Sequence, residues 1–359
     1  MSAIAITGVG SDLGGRLVRR LAAELAPERI VGIDRCPPEG LTAARFSYYD
    51  LDPGTAPLRD ALTGIDVVLH LGAVLEPVRD DAAVRTREVD AARRVVEAAA
   101  EAGVPRVVLT SSVLAYGAHP DNEVPLHEDS ELRATPGLAS AEHVVEVERW
   151  LADWRASHAQ VQVAVLRFAL LAGPGLDTSL TRAFEAPRLP AVRGHRPPLQ
   201  FLHPDDAVAA IVHAVEAELD GAYNVCADGW LSYDEVAALV GRRPVEVPEE
   251  LAYSGAAGAY ALRLGDQPPG LVTLFVHPCV MSNEKLTATG WQPVHSNRDA
   301  VASLTAEHAP YVTVGRIRAR WSTLVGIGAT ATAVLAVGAW RLVRARRRRS
   351  GAAERGLGD

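Results

Sequence analysis

Residues 1–15 read MSAIAITGVGSDLGG, and the fold is read outward from them. Positions 3–7 are a short apolar run with two isoleucines, long enough for one buried strand. Gly8, Gly10, Gly14 and Gly15 follow, and Leu17-Val18-Arg19-Arg20-Leu21 then opens a helical pattern. Strand, glycine-rich turn and helix in this order is the dinucleotide-binding arrangement. Glycine lets the backbone turn tightly and approach a pyrophosphate, whose charge rests on unpaired N–H groups at the helix N-terminus. A glycine-rich turn alone is a weak signal, since an ordinary α/β protein also tolerates glycine in a surface turn. Asp34 strengthens it. This acid ends a second apolar run, 29–33, about twenty residues further on, where a carboxylate accepts hydrogen bonds from the adenosine ribose.

At 359 residues the chain can bury a large core and hold one big or two modest domains. Charged residues make up 22% and hydrophobic residues 48%, which is ordinary for a globular protein. The net charge of −8 is unevenly spread: residues 341–359 carry seven arginines against Glu354 and Asp359, so the remainder is strongly acidic. An acidic body does not suit nucleic-acid binding. Cys36, Cys226 and Cys279 are scattered and show no metal spacing, so neither a metal site nor a structural disulfide is expected and a reduced compartment is. No basic segment precedes the first strand, which argues against a secretory signal. Lys285 is the only lysine in the chain.

Strands and helices alternate through the first half. Residues 66–71 read as a buried strand, 82–102 as a long helix stopped by Gly103, and 106–110 as a strand. A helix over 139–157 and a strand over 161–168 follow. This alternation implies an α/β fold, a doubly wound parallel sheet with helices on both faces, whose ligands bind beyond the carboxyl ends of the strands. Residues 7–14, Asp34, 70–73 and 110–112 all fall at such ends, which implies one pocket.

Taken together, these stretches resemble the NAD-dependent epimerase/dehydratase family, the extended short-chain dehydrogenases. The matching segments are TGVGSDLG at 7–14, DL at 50–51, HLGA at 70–73, TSSVLAYG at 110–117, LRFALLAGPG at 166–175, FLHPDD at 201–206 and GAYNV at 221–225. The resemblance covers about residues 3–295 and implies a Rossmann domain (1–169 and 200–228) with a smaller substrate lobe (170–199 and 229–310). It places Gly8, Gly10 and Gly14 at the pyrophosphate, Asp34 at the ribose and Asp50 and Leu51 at the adenine, with Thr7, Ser11, Asp12, Leu13 and Arg35 also in the cofactor site. Leu71, Gly72 and Ala73 are placed on the nicotinamide side, with Ser112 as the catalytic hydroxyl. The family has glycine where Ser11 stands, and here the spare glycine is one place earlier, at Gly10. NAD is the implied cofactor; Arg35 beside Asp34 leaves NADP open, although the acid favours NAD.

The resemblance fails at the chemistry. The family's redox step uses a tyrosine that exchanges a proton with the substrate oxygen, and a lysine four residues later that lowers the tyrosine's pKa. Aligned on the helix at 138–150, Ser140 stands at the tyrosine position and Val144 at the lysine position. Lys285 cannot supply the pair, because Met281 stands four residues before it. Three readings remain open: an enzyme with a substitute proton donor, for which His143 is the nearest candidate; a nucleotide binder of little turnover, acting as a sensor or scaffold; and a fold that has lost its nucleotide. Gly8, Gly14 and Asp34 argue against the third.

The second half is less regular, with a Gly/Pro-rich stretch at 173–198, a helix over 207–218, a strand at 223–225 and a helix capped by Ser232. Arg167, Arg193 and Arg196 suit a phosphate or carboxylate, or equally surface ion pairs. The substrate is a small molecule that no motif identifies. At the C-terminus, WSTLVGIGATATAVLAVGAW (321–340) is free of charge, spans about 30 Å as a helix and has tryptophan at each end, which reads as a transmembrane helix followed by a basic tail at 341–359. Membrane lipid is therefore an expected partner, with the cofactor domain in the cytoplasm. The tail's side stays open, because its arginines outnumber those before the span. Gly326, Gly328, Ala333 and Gly338 would let helices approach closely, which leaves a homodimer open.

Overall fold

The apolar run at the N-terminus forms β1 (Ala3–Thr7), with Ile4, Ala5 and Ile6 fully buried. The structure, a computed structural model, describes residues 3–38, 40, 45–72, 81–264, 267–314 and 317–320. After the glycine turn comes α1 (Asp12–Glu24), whose cap Ser11 accepts a hydrogen bond from the Gly14 N–H. Leu13, Leu17, Val18 and Leu21 recur at helical spacing and bury one face of α1.

Next come β2 (Arg29–Asp34), β3 (Phe46–Asp50) and β4 (Val67–His70). The sequence pattern does not announce β3: it is an edge strand with no fully buried residue, so its apolar signal is weak. The long helix expected over 82–102 is broken. α2 (Asp81–Arg85) runs into one wide π-helical turn, Thr86–Asp90, before α3 (Ala91–Glu101). Such turns are rare and often occur at functional sites. β5 (Arg106–Ser112), α4 (Ala139–Ser157) and β6 (Gln162–Phe168) complete the first half.

The chain continues through β7 (Leu170–Leu171), α5 (Ser179–Phe184), β8 (Leu189–Val192), β9 (Phe201–Leu202), α6 (Pro204–Glu216) and β10 (Gly221–Val225). α7 (Tyr233–Val240), β11 (Pro244–Val247), α8 (Glu249–Ala261), α9 (Glu284–Thr287), α10 (Asn297–His308), β12 (Tyr311–Val314) and β13 (Ile317–Arg320) follow. Seven strands make a wholly parallel sheet in the order β10-β6-β5-β4-β1-β2-β3. Successive crossovers run one way from β1 to β3 and the other way from β4 to β10, so the topological switch point lies between β1 and β4. Residues alternate between the faces: Ile4 and Ile6 pack with α1 and α6, while Ala5, Val31 and Ile33 pack with Val95, Val96 and Ala99 of α3.

Beyond the sheet, β8 pairs with β11, and Ser232 with Glu235 makes a capping box at the start of α7. The hairpin β12–β13 is fastened by buried Glu185, which accepts hydrogen bonds from Thr313 and Arg318 and pairs with His308. Among the described residues no helix is long and apolar enough to cross a membrane. The apolar stretch 321–340, the basic tail 341–359 and Ala73 lie outside the described residues.

Candidate active site

Thr7 pairs in register with Ile33 on one side and His70 on the other, which levels the carboxyl ends of β1, β2 and β4. Above them lies a cleft of about 560 Å³. Gly8, with φ at +79°, opens the loop, and a Cβ there would meet the Leu71 carbonyl oxygen at 2.8 Å. Gly10 donates its N–H to Asp34 Oδ2 at 2.9 Å, and a Cβ would press into the Cys36 carbonyl oxygen. Asp34 Oδ1 accepts from the Arg35 N–H at 2.7 Å. Gly8, Gly10, Ser11, Leu13, Asp34, Arg35, Leu71 and Gly72 line this cleft as the sequence implies. The residues fit a dinucleotide: bare backbone faces the space where the pyrophosphate would lie, and an ionisable carboxylate stands at the end of β2.

Five expected residues lie elsewhere. Thr7 is fully buried beneath the loop, its Oγ1 2.6 Å from His70 Nδ1. Asp12 turns outward to Arg16 Nε at 2.6 Å, beside Gly175. Gly14 seats α1, since a Cβ would strike the Gly8 and Val9 carbonyl oxygens. Asp50 is exposed on the edge strand and Leu51 packs against the core, so Asp52 and Pro53 form that wall instead. The cause is the end of β3 at Asp50, after which the chain bends; Leu51 still donates its N–H to the Asp34 carbonyl at 3.1 Å. Cys36, Asp52, Pro53, Arg87, Glu88 and Ala91 are lining residues that the sequence pattern misses.

At the other end, past Leu71 and Gly72, the cleft reaches Glu88 on the π-helical turn. Behind this end lies a chamber of about 20 Å³, and His70, Gly72 and Glu88 belong to both spaces. Thr110, Ser111 and His143 complete its polar wall. His143 Nδ1 lies 2.8 Å from Glu88 Oε2, and Ser140 donates its hydroxyl to Glu88 Oε1 at 3.4 Å. Burial pushes the His70 pKa down to about 4, so this imidazole is neutral. Its Nε2 is buried with no hydrogen-bond partner in the protein.

Other candidates take structural roles. Ser112 caps the 3-10 turn Val113–Ala115, accepting from the Leu114 N–H at 3.3 Å, and its neighbour Ser111 lines the chamber. Tyr116 is fully buried and donates to Asn224 Oδ1 at 2.7 Å; burial pushes its phenol up to about 12, which unfits it for proton transfer. Arg167 holds Glu148 at 2.6 Å in a buried ion pair, and Arg196 pairs with Glu246 at 2.7 Å. Val144 packs with Ala115 and Val145, and Lys285 bonds the Ala222 carbonyl at 2.7 Å, away from the cleft. His203, Asp205 and His295 approach one another beside α6, but Asp205 holds Arg16 at 2.8 Å and His295 rests on Asp206 at 3.2 Å.

A doubly wound sheet with a glycine loop and a carboxylate at its switch point defines a dinucleotide-binding α/β protein. More narrowly, the chain belongs to the NAD dependent epimerase/dehydratase family, whose model matches residues 4–226, and its cofactor is NAD. An uncharacterised Mycobacterium tuberculosis protein is 31% identical over 255 residues, covering 68% of this chain and 67% of that one. A 3-diazoavenalumate denitrifying reductase from a Streptomyces species is 30% identical over 258 residues, covering 64% of this chain and 76% of that one. Among solved structures, MoeE5 in complex with UDP-glucuronic acid and NAD matches with a TM-score of 0.66 and 22% identity, over 86% of this chain and 99% of that one. Thermus thermophilus UDP-glucose 4-epimerase with NAD matches with a TM-score of 0.63 and 18% identity, over 86% and 99%. These structural likenesses are likenesses of fold.

Proposed function

We propose that this protein is an oxidoreductase of the epimerase/dehydratase type, transferring a hydride between NAD and a sugar-nucleotide or other hydroxy or carbonyl substrate. The observation that carries this reading is a cleft running from Asp34 to Glu88 across the switch point of the sheet. When bound, NAD accepts or returns the hydride. The chain's own residues do the rest. The glycine loop, by keeping side chains out of the way before the N-terminus of α1, would hold the pyrophosphate, and Asp34 would accept from the ribose hydroxyls; Leu71 and Gly72 line the cleft on the way to Glu88. The relative named as a reductase supports a redox step, and a nucleotide sugar is taken as the first substrate class to try because MoeE5, a neighbour in fold, was solved with UDP-glucuronic acid and NAD. The apolar stretch at 321–340 supports a membrane location.

Calorimetry on the full-length protein with NAD tests the reading. Binding is expected, and Asp34→Ala is expected to weaken it by about tenfold or more, the loss of hydrogen bonds to a charged group. No binding of NAD or NADP at millimolar concentration would sink the proposal. Binding without turnover on nucleotide sugars or simple carbonyls would mark a non-catalytic NAD sensor or scaffold.

A further inference from the structure

The position that the family gives to its catalytic tyrosine holds Ser140, and that serine does not stand alone. It bonds Glu88, which also bonds His143 one helical turn further along α4. Glu88 and His143 are 8% exposed each, so the contact is made out of bulk water. Glu88 comes from the π-helical turn, and without that wide turn a regular helix would place position 88 differently relative to α4. The fold has departed from regular geometry where two titratable side chains meet, at the end of the NAD cleft.

The chamber behind this end supplies the connection. Its volume of about 20 Å³ exceeds the minimum that one water requires. A buried water also needs two to four polar partners. The chamber offers the unpartnered Nε2 of His70, the Glu88 carboxylate and the His143 ring. His70 Nε2 lies beside Gly72, 3.1 Å from where a Cβ there would stand, and both residues border the chamber and the cleft.

We propose that Glu88 and His143 are the proton-transfer pair of this site, connected to the cleft through one water held by His70. The proposal rests on the hydride-transfer reading above. With Glu88 ionised, His143 donates from Nδ1 to the carboxylate, which leaves the Nε2 lone pair as the base. In the oxidising direction the substrate's C–H bond breaks and its electron pair leaves as hydride to oxidised NAD. Its O–H bond breaks as the C=O bond forms. That proton passes to the water, which gives one of its own to His143 Nε2. His143 becomes an imidazolium facing the Glu88 carboxylate. In the reducing direction every transfer is reversed, with NADH as the reductant and His143 as the acid. His70 is a positioning residue: its neutral ring holds the water and does not itself gain or lose the proton.

The test uses the full-length protein in detergent, NADH with phenanthrenequinone as carbonyl probe, and NAD with UDP-glucose in the other direction. His143→Ala and Glu88→Met are each expected to lower turnover by about 10²–10⁴-fold, the usual contribution of general acid–base catalysis. Added imidazole is expected to restore part of the His143→Ala rate and none of the Glu88→Met rate, a difference that a merely structural role would not produce. A second readout is independent of activity: imidazole ¹⁵N NMR is expected to find the His143 proton on Nδ1 in the wild type and redistributed in Glu88→Met. NAD affinity by calorimetry separates the two levels. Loss of NAD binding by the wild type overturns the hydride-transfer reading. NAD binding with turnover of neither probe overturns the hydride-transfer reading as well; with turnover present, the pair alone is overturned if both variants keep the wild-type rate, or if Nδ1 of His143 carries no proton.

Discussion

The N–H of Gly10 donates to Asp34 Oδ2 at 2.9 Å, so the glycine loop and the carboxylate at the end of β2 are one hydrogen-bonded unit. The glycine displaced by one place from the family pattern is the residue that makes this bond. Both Asp34 oxygens already accept from backbone, which fixes the carboxylate's orientation before any ligand arrives.

Gly10→Ala is therefore expected to disturb both halves of the unit. The new Cβ would press into the Cys36 carbonyl oxygen, and backbone cannot yield as a flexible side chain can. A cost of about 1–3 kcal/mol in stability is expected from this overpacking. Denaturant unfolding measures it, and calorimetry should show weaker NAD binding. An alanine variant that binds NAD as the wild type does would separate the loop from the ribose site.

His70 sets a pH dependence. In the folded protein it stays neutral down to about pH 4, because burial disfavours its charged form. In the unfolded chain it takes up a proton below about pH 6.5. Between these values the unfolded state binds more protons, so stability rises with pH, and it is lost as pH falls from about 6.5 to about 4. The span amounts to roughly 3 kcal/mol at most. Urea unfolding across this window should show a shallower slope for His70→Asn, and an unchanged slope would mean that His70 is not the group responsible.

The proposed membrane attachment has its own check. In fractionated cells the full-length protein is expected in the membrane pellet, where alkaline and high-salt washing leave it, and deletion of 321–359 should release it. Release of the intact protein by washing would favour attachment through the basic tail alone.

What the sequence determined by itself is local. A buried strand, a glycine turn and an amphipathic helix are each specified by residues within a few positions of one another. Their alternation was enough for a doubly wound sheet, a switch point and a site at the carboxyl ends of β1, β2 and β4. That Gly8, Gly10 and Asp34 would border one cleft was legible because each follows or ends a strand of the sheet. The tertiary structure decided which side chains face which space. Asp52 and Pro53 took the wall expected of Asp50 and Leu51, because the chain bends as β3 ends at the sheet edge. His143 was visible as a candidate, but its partner was not. Glu88 lies 55 residues away in sequence, and it reaches α4 through a π-helical turn that apolar residues at ordinary helical spacing do not signal. Side-chain convergence of this kind depends on how two helices pack and on where one of them widens, and neither is encoded in the spacing of either helix alone.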